Sequence, residues 1–193
     1  NLASLYQDMG NFEKAEPLHL EAKAIREKSL GREHPHYATS LNNLALLYKV
    51  IGNYEKAEPL YVEAQAIKEK TLGREHPLFA QGLNNLANLY RDMGNYEKAE
   101  PLYVEAKAIQ EKALGREHPD YTASLNNLAS LYQDMGNYEK AELLHLEAKA
   151  IREKVLGREH PDYALSLNNL ASLYEVMGNY EKAEPLHLEA KAI

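Results

Sequence analysis

Apolar side chains recur at three- and four-residue steps through this sequence. Over residues 37–51 these positions are Leu41, Leu44, Ala45, Tyr48 and Ile51. The spacing places them on one face of a helix, and it therefore predicts a helix over residues 37–51 with that face buried. A second stripe predicts another helix over residues 54–72, and its apolar members are Tyr54, Ala57, Leu60, Tyr61, Ala64, Ile67 and Leu72.

The residues between the stripes are typical of helix ends. Gly52 stands where the first helix should stop, because glycine adopts the left-handed cap conformation without strain. Asn53 is the expected N-cap of the second helix, and Glu55 adds the negative charge that a first turn favours. We expect Gly73 to close the second helix and Pro77 to begin the next one.

This helix pair repeats along the whole sequence with a constant period of 42 residues. Successive copies start at Asn1, Asn43, Asn85, Asn127 and Asn169, so the chain holds four full repeats and 25 residues of a fifth. Residues 85–126 and 127–168 are identical at 33 of 42 positions. Self-similarity at a fixed period indicates a repeat architecture. We therefore predict a single all-α repeat array over residues 1–193, and we expect it to be a fragment of a longer protein.

One residue conflicts with the helical pattern. Pro59 lies about six residues into the predicted second helix, where proline removes a backbone hydrogen bond and costs up to ~3 kcal/mol. It recurs as Pro17, Pro101 and Pro185, whereas Leu143 occupies the position in one copy. Either the helix bends there and curves the array, or the missing bond faces solvent and is tolerated.

The repeat resembles the tetratricopeptide repeat family, and in particular the 42-residue repeats of kinesin light chain. The residues that carry the resemblance are Leu44, Ala45, Tyr48, Gly52, Tyr54, Ala57, Tyr61 and Ala64, together with the turn at residues 72–77. The family's usual unit has about 34 residues, so this one is longer. It also departs from the pattern at Leu41, where a large aromatic is usual, and at the position of Tyr61 and Tyr103, which becomes histidine in His19, His145 and His187.

The resemblance implies a right-handed α-solenoid of antiparallel helix pairs, whose first helices line a concave groove that binds peptide segments. A helical wheel at about 100° per residue puts Thr39, Asn42, Asn43, Leu46, Lys49 and Val50 opposite the buried arc, on the face free to form that groove. Stacked repeats would align these positions in rows. The predicted peptide-binding residues are Asn42, Asn43, Leu46, Lys49, Asn84, Asn85, Asn88, Arg91, Asn126, Asn127, Ser130, Asn168, Asn169 and Ser172.

The paired asparagines are poor helix formers, yet they return in every full repeat. Each amide offers a carbonyl acceptor and two N–H donors, and an extended peptide offers one unpaired donor and acceptor per residue. A ladder of amides could therefore hold a peptide backbone, while neighbours that vary between copies supply specificity. The alternative is structural: the amides bond between adjacent helices and fix their register.

One histidine recurs at the same position of successive repeats, which raises the hypothesis of a metal site. His34, His76, His118 and His160 occur once per repeat, so adjacent members should lie roughly 10 Å apart, too far to share an ion. We expect them to serve the turn before each proline, and we expect His19, His145 and His187 to pack as aromatic substitutes. The sequence holds no glycine-rich phosphate loop and no nucleophile motif, so we predict neither a cofactor nor catalysis.

Composition narrows the list of partners. The net charge of −7 argues against nucleic acid, and no apolar run approaches the roughly 20 residues that span a bilayer. The chain has no cysteine, which is compatible with a reducing compartment, and we expect a cytoplasmic location. We thus predict a protein or peptide partner. The rival hypothesis is end-to-end self-association, because repeats without polar caps expose apolar faces at the two ends.

Overall fold

The computed structural model describes residues 2–193, and Asn1, which opens the first copy, lies outside the described residues. Secondary structure in this part of the chain is helical. The helices are α1 (Leu2–Asp8), α2 (Phe12–Leu30), α3 (Pro35–Ile51), α4 (Tyr54–Leu72), α5 (Pro77–Asp92), α6 (Tyr96–Leu114), α7 (Pro119–Asp134), α8 (Tyr138–Leu156), α9 (Pro161–Val176) and α10 (Tyr180–Ala192).

The predicted ends of the helices are confirmed where the sequence supplied a cap. Gly52 ends α3 in the left-handed conformation, with φ 83° and ψ 9°. The side chain of Asn53 accepts a hydrogen bond from the backbone N–H of Lys56 at 3.2 Å and so caps α4. Asn11, Asn137 and Asn179 cap their helices in the same way. The second helix of the pair therefore begins and ends as predicted, at residues 54 and 72.

The first helix begins earlier than the predicted residue 37. Helix α3 starts at Pro35, since the imidazole of His34 acts as its N-cap and accepts a hydrogen bond from the backbone N–H of His36 at 3.1 Å. His76, His118 and His160 cap α5, α7 and α9 through the same contact. The expected turn role of these histidines is thus confirmed, and its physical basis is helix capping.

The chain divides into two compact units, of which unit 1 extends to Asn95. In unit 1 each helix packs against the next, from α1 to α5, and the connections are short enough to make neighbours antiparallel. Its core includes a cluster of fully or almost fully buried side chains on α3 and α4, which are Tyr37, Ala38, Leu41, Ala64 and Ile67. Helices α3 and α4 thus bury most of the apolar stripes that the sequence predicted.

Unit 2 runs from Tyr96 to Ile193 and repeats this arrangement in α6 to α10. Tyr121 and Leu125 on α7 pack on Ala148 of α8, and all three are completely buried. Leu144 and Ile151 pack against the same cluster from α8.

Two details refine the predicted helices. Ile51 was expected on the buried face of α3, but 44% of its surface is exposed, because it is the last residue of the helix. Helix α4 continues through Pro59 without interruption, and Pro59 is exposed. Over residues 2–193 no helix combines the length and the apolar character that crossing a membrane requires.

Candidate peptide-binding surface

The predicted groove residues lie on the first helix of each repeat, which is α3 or α5 in unit 1 and α7 or α9 in unit 2. Most of these side chains are half-buried. The more exposed ones are Leu46 in unit 1 and Asn168 and Ser172 in unit 2, whereas Asn84 is buried with only 7% of its surface exposed. Polar side chains thus remain accessible on both units.

In unit 1 the two asparagine rows meet. The amide of Asn85 donates a hydrogen bond through Nδ2 to Oδ1 of Asn42, at 2.9 Å. Asn42 belongs to α3 and Asn85 to α5, so the bond joins the first helices of consecutive repeats. This amide pair therefore connects adjacent repeats, as the structural alternative proposed, and it lies on the face where the groove was predicted.

The same face of unit 1 carries an ion pair between the same two helices. Lys49 Nζ lies 3.0 Å from Oδ2 of Asp92, and both side chains are partly exposed. Lys49 is a predicted groove residue. Asp92 is the copy of Val50, which the helical wheel places on the same face. Because the two charges compensate each other, Lys49 is not an isolated cation on this surface.

In unit 2 the first asparagine of the pair contacts a histidine of its own helix pair. Oδ1 of Asn126 lies 3.0 Å from Nδ1 of His145, and Oδ1 of Asn168 lies 3.0 Å from Nδ1 of His187. A carbonyl oxygen accepts hydrogen bonds, so a hydrogen bond in this geometry requires the imidazole tautomer with its proton on Nδ1. The histidine that replaces tyrosine at this position therefore holds the asparagine side chain in place.

Burial sets the charge of these histidines. His145 is 98% buried, and desolvation lowers its pKa to about 4, which leaves the ring neutral near pH 7. His19 is also buried, which lowers its pKa, and its Nε2 atom meets no hydrogen-bond partner within the described residues 2–193. Both rings are packed as predicted. The ring of His187 is less buried than the other two, since its side chain is 40% exposed. Its Nε2 lies 3.3 Å from Oε1 of Glu175.

A set of tyrosine–glutamate contacts between repeats was missed by the sequence analysis. Tyr48 on α3 donates its hydroxyl hydrogen to Glu16 on α2, and the pairs Tyr90–Glu58, Tyr132–Glu100 and Tyr174–Glu142 repeat the contact. Each pair is separated by 32 residues. That constant separation was the available signal, but apolar periodicity had already assigned the tyrosines to the core.

The chain is similar to known repeat proteins along its length. The tetratricopeptide repeat family model matches residues 1–70, 78–154 and 120–193. No curated protein matches the sequence. Among solved structures, the nearly identical kinesin light chain-like repeats of Podosopora anserina share 35% identity at a TM-score of 0.82, covering 99% of this chain and 90% of theirs.

Two further solved structures are similar to this chain over nearly its whole length. BtubC (BKLC) from P. vanneervenii is 31% identical at a TM-score of 0.83, covering 99% of this chain and 76% of its own. MamA, at 14% identity and a TM-score of 0.61, covers 100% of this chain and 94% of its own and supports the fold alone. The predicted all-α repeat solenoid class is thus confirmed, as is the resemblance to kinesin light chain repeats. The chain belongs to the tetratricopeptide repeat family.

Proposed function

We propose that the protein is a non-catalytic scaffold that binds an extended segment of another protein on its first helices. The observation that carries the proposal is the 2.9 Å hydrogen bond from Asn85 to Asn42. This bond leaves the amide hydrogens of Asn42 and the carbonyl oxygen of Asn85 for a ligand. A donor and an acceptor held side by side complement the N–H and C=O groups of an extended backbone.

The charges beside this amide pair favour recognition of the backbone over recognition of charge. Lys49 is neutralised by Asp92, so this part of unit 1 should select neither an acidic nor a basic segment strongly. The neighbouring position is apolar in Leu46 and polar in its copies Asn88, Ser130 and Ser172. Such variation beside constant amides would give side-chain specificity to a backbone clamp.

The family relationship supports the coarser part of the proposal. Tetratricopeptide repeat proteins generally mediate protein–protein interactions and are typically non-catalytic scaffolds. The fold alone does not identify a ligand, so the groove and its residues rest on the geometry of the amides. A single continuous array over residues 1–193 and a cytoplasmic location remain predictions.

The proposal is tested by replacing amides and measuring binding and stability together. Asn42→Ala and Asn85→Ala are prepared singly and combined, and each is titrated with peptides selected from a library of extended sequences against the parent protein. We expect each single variant to weaken binding about tenfold, because each removes one or two hydrogen bonds to the ligand. The melting temperature should fall by only a few degrees, about that expected for one lost hydrogen bond.

A matched control separates binding from stability. Asn53→Ala removes an asparagine that caps α4 and lies outside the predicted groove, so it should lower the melting temperature and leave peptide affinity unchanged. Affinity that survives in the Asn42 and Asn85 variants while their melting temperatures drop would show that the amides serve only to join repeats. Failure of the library to yield any peptide that binds the parent protein would contradict the proposal directly.

The second candidate function is end-to-end self-association. Leu2 and Leu5 on α1 are each 54% exposed, whereas their copies Leu44 and Leu47 are buried, so α1 presents an apolar face that another copy could cover. Sedimentation velocity over a range of protein concentrations tests it. Growth of the particle that stops when a polar capping helix is fused would support stacking, and a monomer at all concentrations would exclude it.

A further inference from the structure

The contact between the second helix of one repeat and the first helix of the next, which we term a joint, contains a buried polar bond. In the α2–α3 joint, Nη1 of Arg26 donates to the hydroxyl of Ser40 at 2.7 Å and to the backbone carbonyl of His36 at 3.2 Å. Ser40 is 3% exposed. The guanidinium group thus ties α2 to the first turn of α3 from inside the joint.

Unit 2 has the same bond in its own joints. In α8–α9, Arg152 donates to Ser166 at 2.9 Å and to the carbonyl of Asp162 at 3.2 Å. In α6–α7, Gln110 replaces the arginine and accepts a hydrogen bond from Ser124. A long polar side chain on the second helix therefore bonds to a serine on the first helix in each of these joints.

The α4–α5 joint differs at three positions at once. Lys68 stands where the other joints carry arginine or glutamine, Gly82 stands in place of the serine, and Gln65 stands where Lys23 and its copies lie. The serine hydroxyl is absent, and burial of Lys68, which is 8% exposed, lowers the pKa of its ammonium group. Removing a charged group from water in this way is costly.

Gln65 adds a buried unsatisfied group to this joint. Its Nε2 donates to the backbone carbonyl of Phe79 at 3.0 Å, but its Oε1 atom is buried and meets no hydrogen-bond partner among residues 2–193. A Cβ added at Gly82 would lie 1.9 Å from this Oε1 and 3.2 Å from Nζ of Lys68. A side chain at position 82 would therefore displace the ends of Gln65 and Lys68, and Gly82 also weakens the middle of α5.

We propose that the α4–α5 joint is a built-in weak point of unit 1, at which α5 separates from α4 before the α2–α3 joint opens. Helix α5 also carries Asn85 and Asp92, which contact Asn42 and Lys49 of α3. Movement of α5 away from α4 would change the distances between these residues, and, resting on the proposed peptide-binding function, it would let the surface adapt to its ligand.

Hydrogen exchange read by mass spectrometry tests this inference on the full chain. The first variant, Gln65→Lys with Lys68→Arg and Gly82→Ser, rebuilds the α2–α3 pattern in the α4–α5 joint. We expect amides of α5 to exchange about tenfold more slowly than in the parent protein, because the buried polar groups regain partners. Gly82→Ser alone should accelerate exchange in α5, since serine would displace Gln65 from its bond to Phe79.

The reverse exchange provides a matched control. Lys23→Gln with Arg26→Lys and Ser40→Gly places the weak pattern in the α2–α3 joint, where we expect about tenfold faster exchange in α3. Unchanged exchange in α5 for the first variant, or in α3 for the reverse variant, would overturn the proposal. Because the two variants alter different joints in opposite directions, failure of one to fold leaves the other as the test.

Discussion

The hydroxyl of Tyr48 lies 2.6 Å from Oε1 of Glu16 and joins α3 to the second helix of the preceding repeat. The contact is repeated by Tyr90, Tyr132 and Tyr174 with glutamates at the same separation. Burial is the main cause that raises the pKa of Tyr48 to about 12, and the hydrogen bond and the charge of Glu16 add to it. The protonated hydroxyl is therefore part of the folded structure.

These tyrosines predict a loss of stability at alkaline pH. An unfolded tyrosine ionises near pH 10, whereas folded Tyr48, Tyr90, Tyr132 and Tyr174 keep their protons to about pH 12. Between these values the unfolded state binds fewer protons, so the free energy of unfolding falls as pH rises. Urea denaturation at a series of pH values from 8 to 12 should show a decline that starts near pH 10.

Tyr48→Phe identifies the contribution of one contact. Loss of the hydrogen bond should cost about 1 kcal/mol at neutral pH, and the alkaline decline should become shallower. Tyr180→Phe is the control, because Tyr180 is 68% exposed. Equal alkaline slopes for the parent and Tyr48→Phe would show that this hydroxyl does not couple folding to pH.

The elements of this fold could be predicted because their signals are local. Gly52, Asn53 and Pro77 each act on adjacent backbone groups, and the predicted limits of α4 agree with the structure. The start of α3 was missed by two residues because histidine is not among the usual N-caps, although His34 fills that role.

The contacts of the candidate site could not be predicted, since they depend on distances between repeats. The wheel placed Asn42 and Asn85 on an accessible face, but it could not show that one amide reaches the other. It also gave Asn84 the same environment as Asn42, whereas Asn84 is buried. The partner of each asparagine also depends on side chains of the second helix, such as His145, which contacts Asn126. A wheel of the first helix does not contain these side chains.

His145 predicts a loss of stability at acidic pH. Burial lowers its pKa to about 4 in the folded state, whereas an unfolded histidine titrates near 6.5. Between these values the unfolded state binds more protons, so the free energy of unfolding falls as pH decreases from 6.5 towards 4. The shift corresponds to an effect on the order of 3 kcal/mol.

His145→Tyr tests the origin of this acid effect. Tyrosine occupies the equivalent buried position in Tyr61 and Tyr103, so the variant should fold, and its stability should depend less on pH between 4 and 6.5. The measurement is thermal unfolding at half-unit pH steps. The same acid slope in both proteins would assign the effect to other groups.

The histidine caps predict a cost for removing one of them. The imidazole Nδ1 of His76 accepts from the backbone N–H of Leu78 at 3.1 Å at the start of α5. His76→Ala should lower the free energy of unfolding by about 1 kcal/mol, as loss of an N-cap does elsewhere. His76→Asn should recover most of it, because asparagine supplies another acceptor. A stable alanine variant would show that Pro77 alone determines the start of the helix.

Pro59 and Leu143 occupy the same position of α4 and α8 and predict opposite effects when exchanged. Pro59 cannot donate to the carbonyl of Glu55, and its ring crowds that oxygen. Both positions are exposed, so packing should change little. Pro59→Leu should therefore raise the free energy of unfolding by up to about 3 kcal/mol, and Leu143→Pro should lower it by a similar amount.

Urea denaturation of the two variants and of the double exchange measures both effects in one protein. The positions lie in different units, so the double exchange should restore the stability of the parent protein to within about 0.5 kcal/mol. A destabilised Pro59→Leu variant would contradict this expectation. It would mean that α4 needs the bend that proline provides, in which case the residue shapes unit 1 instead of merely being tolerated on its surface.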